Sequence, residues 1–85
     1  MLKPSRDLFV QYRVINGSKY ILKNYKVFLL DEVGEIIWDS LDGKTTLQQI
    51  AEQISIKYQI EVETALDDIE HFINELLEKE LIEVT

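Results

Sequence analysis

Lys26-Val27-Phe28-Leu29-Leu30-Asp31, read KVFLLD, is the stretch from which the rest of the chain is deciphered. Four successive apolar side chains stand between charged ends. The run is too short for a buried helix and suits a strand that is apolar on both faces. Working backwards, Lys19 to Lys23 (KYILK) reads as a second strand, joined to the first stretch by the weaker turn Asn24-Tyr25. Asn16-Gly17 precedes it, a strong tight-turn signal because both residues accept positive φ. Before that turn Val10, Tyr12 and Val14 alternate with Gln11 and Arg13, which predicts a half-buried strand within residues 9–15. The simplest arrangement is a three-stranded antiparallel meander with residues 26–31 on one edge. Met1 to Leu8, holding the single proline Pro4, reads as a loose terminal arm.

Forward of Asp31 the period becomes helical. Val33, Ile37 and Leu41 are spaced by four, with Ile36 and Trp38 beside them; Asp31 suits an N-cap and Asp42-Gly43 a stop. Thr46 and Gln49 make a capping box for a second helix with the stripe Leu47, Ile50, Ala51 and Ile54, ending near Tyr58. A third, longer helix is expected over about Glu63 to Lys79, with Leu66, Ile69, Phe72, Ile73, Leu76 and Leu77 on its apolar side. Leu81 to Val84 either adds a short strand or packs down. Trp38 and the tyrosines read as core or sheet packing.

The 85 residues suffice for one small domain, residues 1–85, without cysteine to staple it. At this size folding buries only about 60–65% of the unfolded chain's surface. No stretch suits a signal peptide or a membrane span, so a soluble cytoplasmic protein without membrane association is expected. Residues 1–30 carry six basic side chains and one acid, whereas residues 31–85 carry three lysines and fifteen acids. The acids read as solvated helix faces, and their field repels phosphate, which argues against a nucleic-acid partner. No metal-ligand spacing is present and no cofactor is expected. His71, the one histidine, reads as an exposed helix residue, and no serine lies in a nucleophile-elbow motif, so catalysis is not expected.

An apolar edge strand is a liability that soluble proteins guard against. Either helices cover both of its faces, or the edge receives a partner strand by β-augmentation. Four or five added backbone hydrogen bonds contribute roughly 0.5–1.5 kcal/mol each. Ordering each guest residue costs about 1–2 kcal/mol. The ladder alone therefore breaks even, and affinity must come from two or three guest side chains buried in an apolar pocket, at about 1.5–3 kcal/mol each.

Leu30-Asp31, Ile37-Trp38, Leu41-Asp42-Gly43, Thr46, Ile50-Ala51, Asp68-Ile69 and Leu76 follow one another in an order and approximate spacing that resembles the PqqD-like family, the RiPP recognition elements. The likeness spans about residues 9–84. It implies an α+β, winged helix-turn-helix-like fold, three antiparallel strands followed by three helices. It also implies a non-catalytic role: holding a precursor's leader peptide as an added strand, antiparallel to the third, and presenting it to a leader peptidase or other modifying enzyme. By position, the peptide-binding residues implied are Lys26, Val27, Phe28, Leu29, Leu30 and Asp31 on the strand, and Asp68, Ile69, Phe72, Glu75 and Leu76 on the third helix. Which strand face meets the guest stays open. The discrete size and the Ile37-Trp38 pair suit a lasso-peptide setting within that family. Two departures stand out: Gly34 where alanine is usual, and Glu80 where glycine often ends the third helix, so that helix is expected to run on or end differently.

Three other functions compete with this one. A scaffolding subunit would bind the modifying enzyme without touching peptide. A winged-helix DNA binder needs lysines and arginines on its recognition helix, where this chain has Asp67, Asp68, Glu70, Glu75, Glu78 and Glu80. An acyl carrier would use Asp39-Ser40-Leu41, but that serine falls at a helix end behind strands.

Overall fold

The computed structural model describes residues 3–84. Strands β1 (Pro4–Arg6), β2 (Gln11–Ile15), β3 (Ser18–Lys23) and β4 (Lys26–Leu30) precede helices α1 (Glu32–Asp39), α2 (Leu47–Tyr58) and α3 (Val62–Glu78), and β5 (Ile82–Val84) closes the chain. The expected meander is present, in the antiparallel order β2-β3-β4 with Tyr12 opposite Ile21 and Ile21 opposite Phe28. Asn16 and Gly17 both take positive φ in the β2–β3 turn, as the dipeptide requires. At the β3–β4 turn only Asn24 does, and Tyr25 there is fully exposed, contrary to the expectation that the tyrosines pack.

Each helix begins where its cap residue dictates. Asp31 accepts the Gly34 amide at 2.7 Å, and Thr46 and Gln49 exchange the two bonds of a capping box. The first helix stops at Asp39, short of Leu41, whose side chain is nevertheless buried. The third ends in a Schellman motif: Glu80 N–H bonds Leu77 C=O and Leu81 N–H bonds Leu76 C=O. Glu80 takes φ 58° there, so it occupies in the left-handed region the place glycine fills more cheaply, and the helix does not run on.

The core is one cluster. Ile21 and Leu30 descend from the sheet onto Ile37 and Trp38 of α1, Ile50 and Ile54 of α2, and Ile69, Ile73 and Leu76 of α3. The helices reach under β3 and β4 but not under β2, which is exposed along its whole length. The expectation of a half-buried first strand therefore fails: Val14 is 57% exposed although it points to the helix side of the sheet.

The arm is not loose either. Met1 and Leu2 lie outside the described residues, but Pro4 is buried and β1 pairs antiparallel with β5, Pro4 opposite Val84. On its other side β1 meets the turn after α1, where Arg6 N–H bonds Leu41 C=O and Gly43 N–H bonds Pro4 C=O. A strand bonded on both sides with a buried proline has no freedom to act as an arm.

Two carboxylates pin this region. Asp7 accepts the Phe9 amide at 2.8 Å and the Lys23 ammonium at 3.0 Å. Asp42 accepts the Lys44 and Thr45 amides, both at 2.8 Å. Bonds to the charged form lower both pKa values, led by the Phe9 amide for Asp7 and the Lys44 amide for Asp42. A depressed carboxylate contributes stability above its unfolded value, about 3.9, and loses it as pH falls through the lower folded value. Urea unfolding followed from about pH 6 down to pH 2 should therefore show stability declining below about pH 4. The double variant Asp7→Asn/Asp42→Asn should start less stable and show a flatter decline.

Candidate functional site

One side of β4 pairs with β3; among the described residues no strand pairs with the other. The ladder closes at Lys23–Lys26 across a two-residue turn, so Lys26, Phe28 and Leu30 direct their backbone groups to β3. By the same alternation Val27 and Leu29 direct N–H and C=O to the open side. Their side chains lie on the outer face of the sheet, 58% and 60% exposed. Phe28 and Leu30 point the other way, half-buried and buried, onto the helices. The parity that the sequence left open is thereby decided: the helix-facing wall is Phe28 and Leu30, and the free amides belong to Val27 and Leu29.

The opposite wall is α3. Phe72 meets Phe28 edge to face with ring centroids 5.5 Å apart. Lys79 holds its ammonium 5.7 Å from the Phe28 ring centroid. Lys26 and Glu80 form an exposed ion pair at 3.7 Å, and Lys23 donates to the Glu80 carbonyl at 3.0 Å. Phe72 also explains Gly34. A Cβ there would lie 3.3 Å from Phe72 Cε2 and 3.1 Å from Asp31 Oδ1, tighter than ordinary contact. Glycine leaves room for this close approach of α3 to α1, at a helix-propensity cost of about 1 kcal/mol.

Of the residues expected at the site, the structure brings Lys26, Val27, Phe28, Leu29, Asp31 and Phe72 to the open edge or its floor. Asp68 and Glu75 lie exposed on α3, one turn either side of Phe72. Leu30, Ile69 and Leu76 are core side chains, the last two fully buried, so they shape the wall from behind. Lys79, Glu80 and Gly34 were not anticipated as parts of the site. Lys79 lies seven residues beyond Phe72, a helical repeat that would have flagged it.

Other candidates find structural employment. The Ser40 hydroxyl, half-buried, donates to the Ile36 carbonyl at 2.9 Å, as a helix-end residue does. His71 sits exposed with Nδ1 2.8 Å from the Asp67 carbonyl, and that contact followed by the Asp67 charge raises its pKa. No group of three or more potential ligands could hold a metal ion among the described residues. No described helix is long and apolar enough to cross a membrane.

A three-stranded antiparallel meander set on three helices, with its last strand open along one side, defines an α+β domain of winged-helix-like build. The family model described as Coenzyme PQQ synthesis protein D (PqqD) matches residues 19–82, and the chain belongs to that family. A relative from Rhizobium meliloti (strain 1021), described as a PqqA binding protein, is 24% identical over 84 residues, 99% of this chain and 86% of its own length. The structure of TbiB1 in complex with the TbiA(beta) leader peptide matches with TM-score 0.80 and 27% identity, covering 93% of this chain and 94% of that one. The PqqD truncation of Methylobacterium extorquens PqqCD, described as a functional, stand-alone RiPP recognition element, matches with TM-score 0.79 and 23% identity over 94% of this chain and 87% of that one.

The aromatic contact that joins β4 to α3 is open to measurement. A double-mutant cycle over Phe28→Ala and Phe72→Ala, read by urea unfolding, should return a coupling of about 1 kcal/mol beyond the separate losses. Strict additivity would mean that the two rings do not meet in solution.

Proposed function

We infer that this protein binds the leader segment of a ribosomally made precursor peptide as an additional strand on β4 and presents it to a modifying enzyme or leader peptidase. The observation that carries this reading is β4 itself, an apolar strand with unpaired amides at Val27 and Leu29 and an aromatic floor of Phe28 and Phe72 beside it. A soluble domain keeps such an edge uncovered at a cost in aggregation risk, which a regular guest strand removes. Membership of the PqqD family, a relative described as binding PqqA, and likeness to a chain bound to a leader peptide all support the same use.

The domain works as a docking platform. The ladder sets the guest's register and direction, and side chains seated against Phe28 and Phe72 supply the affinity. The acids that line the exposed side of α3 make it a poor surface for nucleic acid. Within the family we keep the lasso-peptide setting as the proposed context.

The test searches the genes neighbouring this one for a short precursor and titrates its leader peptide into the isotopically labelled protein. Binding at sub-micromolar to micromolar Kd is expected, with the largest amide shifts at Val27 and Leu29 and a second group around Phe72. Leu29→Pro removes an outward amide that an edge strand can spare, so the fold should persist while affinity falls about tenfold. Phe72→Ala should weaken binding as well, with circular dichroism separating loss of contact from loss of fold. Shifts confined to β2 or to α2, with Leu29→Pro binding normally, would overturn the reading.

A further inference from the structure

The open edge lies between two ends of opposite charge, and this ordering restricts the guest. Four contacts fix how α3 runs beside β4. Phe72 packs on Phe28 and against Gly34, at the side where β4 enters α1. Lys79 lies over Phe28, and Glu80 reaches Lys26 at the start of β4. The helix and the strand are therefore antiparallel, and Asp68, one turn before Phe72, falls toward Asp31. Asp31, Glu32 and Glu35 also line a hollow of about 490 Å³ at that end of β4. Glu35 is engaged by Lys19, and Glu32 faces Lys57 at 3.8 Å. Asp31 is bonded to the Gly34 amide, and among the described residues neither it nor Asp68 is in an ion pair.

The other end carries Lys26 and Lys79. Glu80 is the acid set against Lys26, in an exposed pair at 3.7 Å with side chains 46% and 74% accessible. Water and salt screen such a pair, and an incoming carboxylate can replace Glu80 or lie between the two ammonium groups. Glu75, one turn before Lys79, is the remaining acid on this wall.

Both pairings already present in the sheet are antiparallel, and this mode gives the straighter hydrogen bonds. A guest that continues it starts beside Leu30 and ends beside Lys26. Its side chains opposite Leu30, Phe28 and Lys26 all face α3 and are separated by two residues each. Resting on the strand-addition reading above, we propose that β4 and α3 select a guest with a basic side chain at position i, an apolar or aromatic one at i+2 and a carboxylate at i+4. Asp31 with Asp68 takes the first, the Phe28–Phe72 pair the second, and Lys26 with Lys79 the third.

The test is a display library of nine-residue peptides in which i, i+2 and i+4 are randomised among β-favouring neighbours, selected on the intact protein at about 50 mM salt. Enrichment of Lys or Arg at i, an apolar residue at i+2 and Asp or Glu at i+4 is expected. A synthetic peptide of that order should bind about tenfold tighter than the same peptide with its two charges exchanged, at about threefold per cross-strand pair. The gap should narrow as salt rises. The variant Lys26→Glu/Lys79→Glu/Asp68→Lys should invert the preference; should it not fold, the exchanged peptides and the salt series on the unaltered protein decide. Peptides enriched with no charge order, or with acid before base, overturn the polarity. In that case the strand-addition reading still stands if those peptides lose affinity for Leu29→Pro. Enriched peptides that bind Leu29→Pro undiminished overturn both.

Discussion

Phe72 of α3 is wedged against both β4 and the start of α1. Its ring stands edge-on to Phe28 in β4, and Cε2 lies 3.3 Å from the point where a side chain on Gly34 would begin. That placement shapes the groove beside β4. The ring holds α3 close enough to form a wall, and the Phe28 contact fixes which face of β4 is turned inward. The β3–β4 ladder leaves Val27 and Leu29 with their side chains in solvent and their amides directed to the open side. In a domain this small, where stability is a narrow margin, a contact that both completes the core and sets the groove is sensitive to any change in side-chain volume.

The second organising feature is charge. Basic residues gather in the first thirty positions, on and around the sheet, and acids on the helices. Folding sets the helices against the inner face of the sheet, and Lys19 meets Glu35, Lys23 meets Asp7 and Lys26 meets Glu80 around its margin. These partly exposed pairs contribute little to stability individually. Their larger consequence is a groove with distinct ends, in which the direction of an added strand matters. The closure of the termini through β1 and β5, with Pro4 buried, keeps this arrangement on a rigid base away from the open edge.

Much of this was legible in the residues. The two turns, the three-stranded meander, the caps at Asp31 and Thr46 and the stripes of all three helices come from local rules of short range, and local rules act before tertiary contacts exist. The edge status of residues 26–31 followed from their being the last strand of a meander. Where expectation failed, a distant partner decided. The arm became β1 because the far end of the chain supplied β5. The first strand lost its burial because the helical layer is too narrow to reach beneath it. Glu80 took a glycine's conformation because the Schellman bonds, and the burial of Leu76 against Leu81, outweigh the strain of one left-handed residue.

The residues alone determined the order of the meander and the three helices, the caps and the separation of basic sheet from acidic helices, because each depends on neighbours within a few positions. The tertiary structure alone decided which side of β4 faces the helices. The run Val27 to Leu30 is apolar at every position and has the same period-two pattern in either parity, and only the packing of Phe28 and Leu30 against the helices breaks that tie. For the same reason Gly34 and Lys79 acquired their roles only on folding: one clears space for Phe72 and the other covers Phe28, partners that lie remote along the chain.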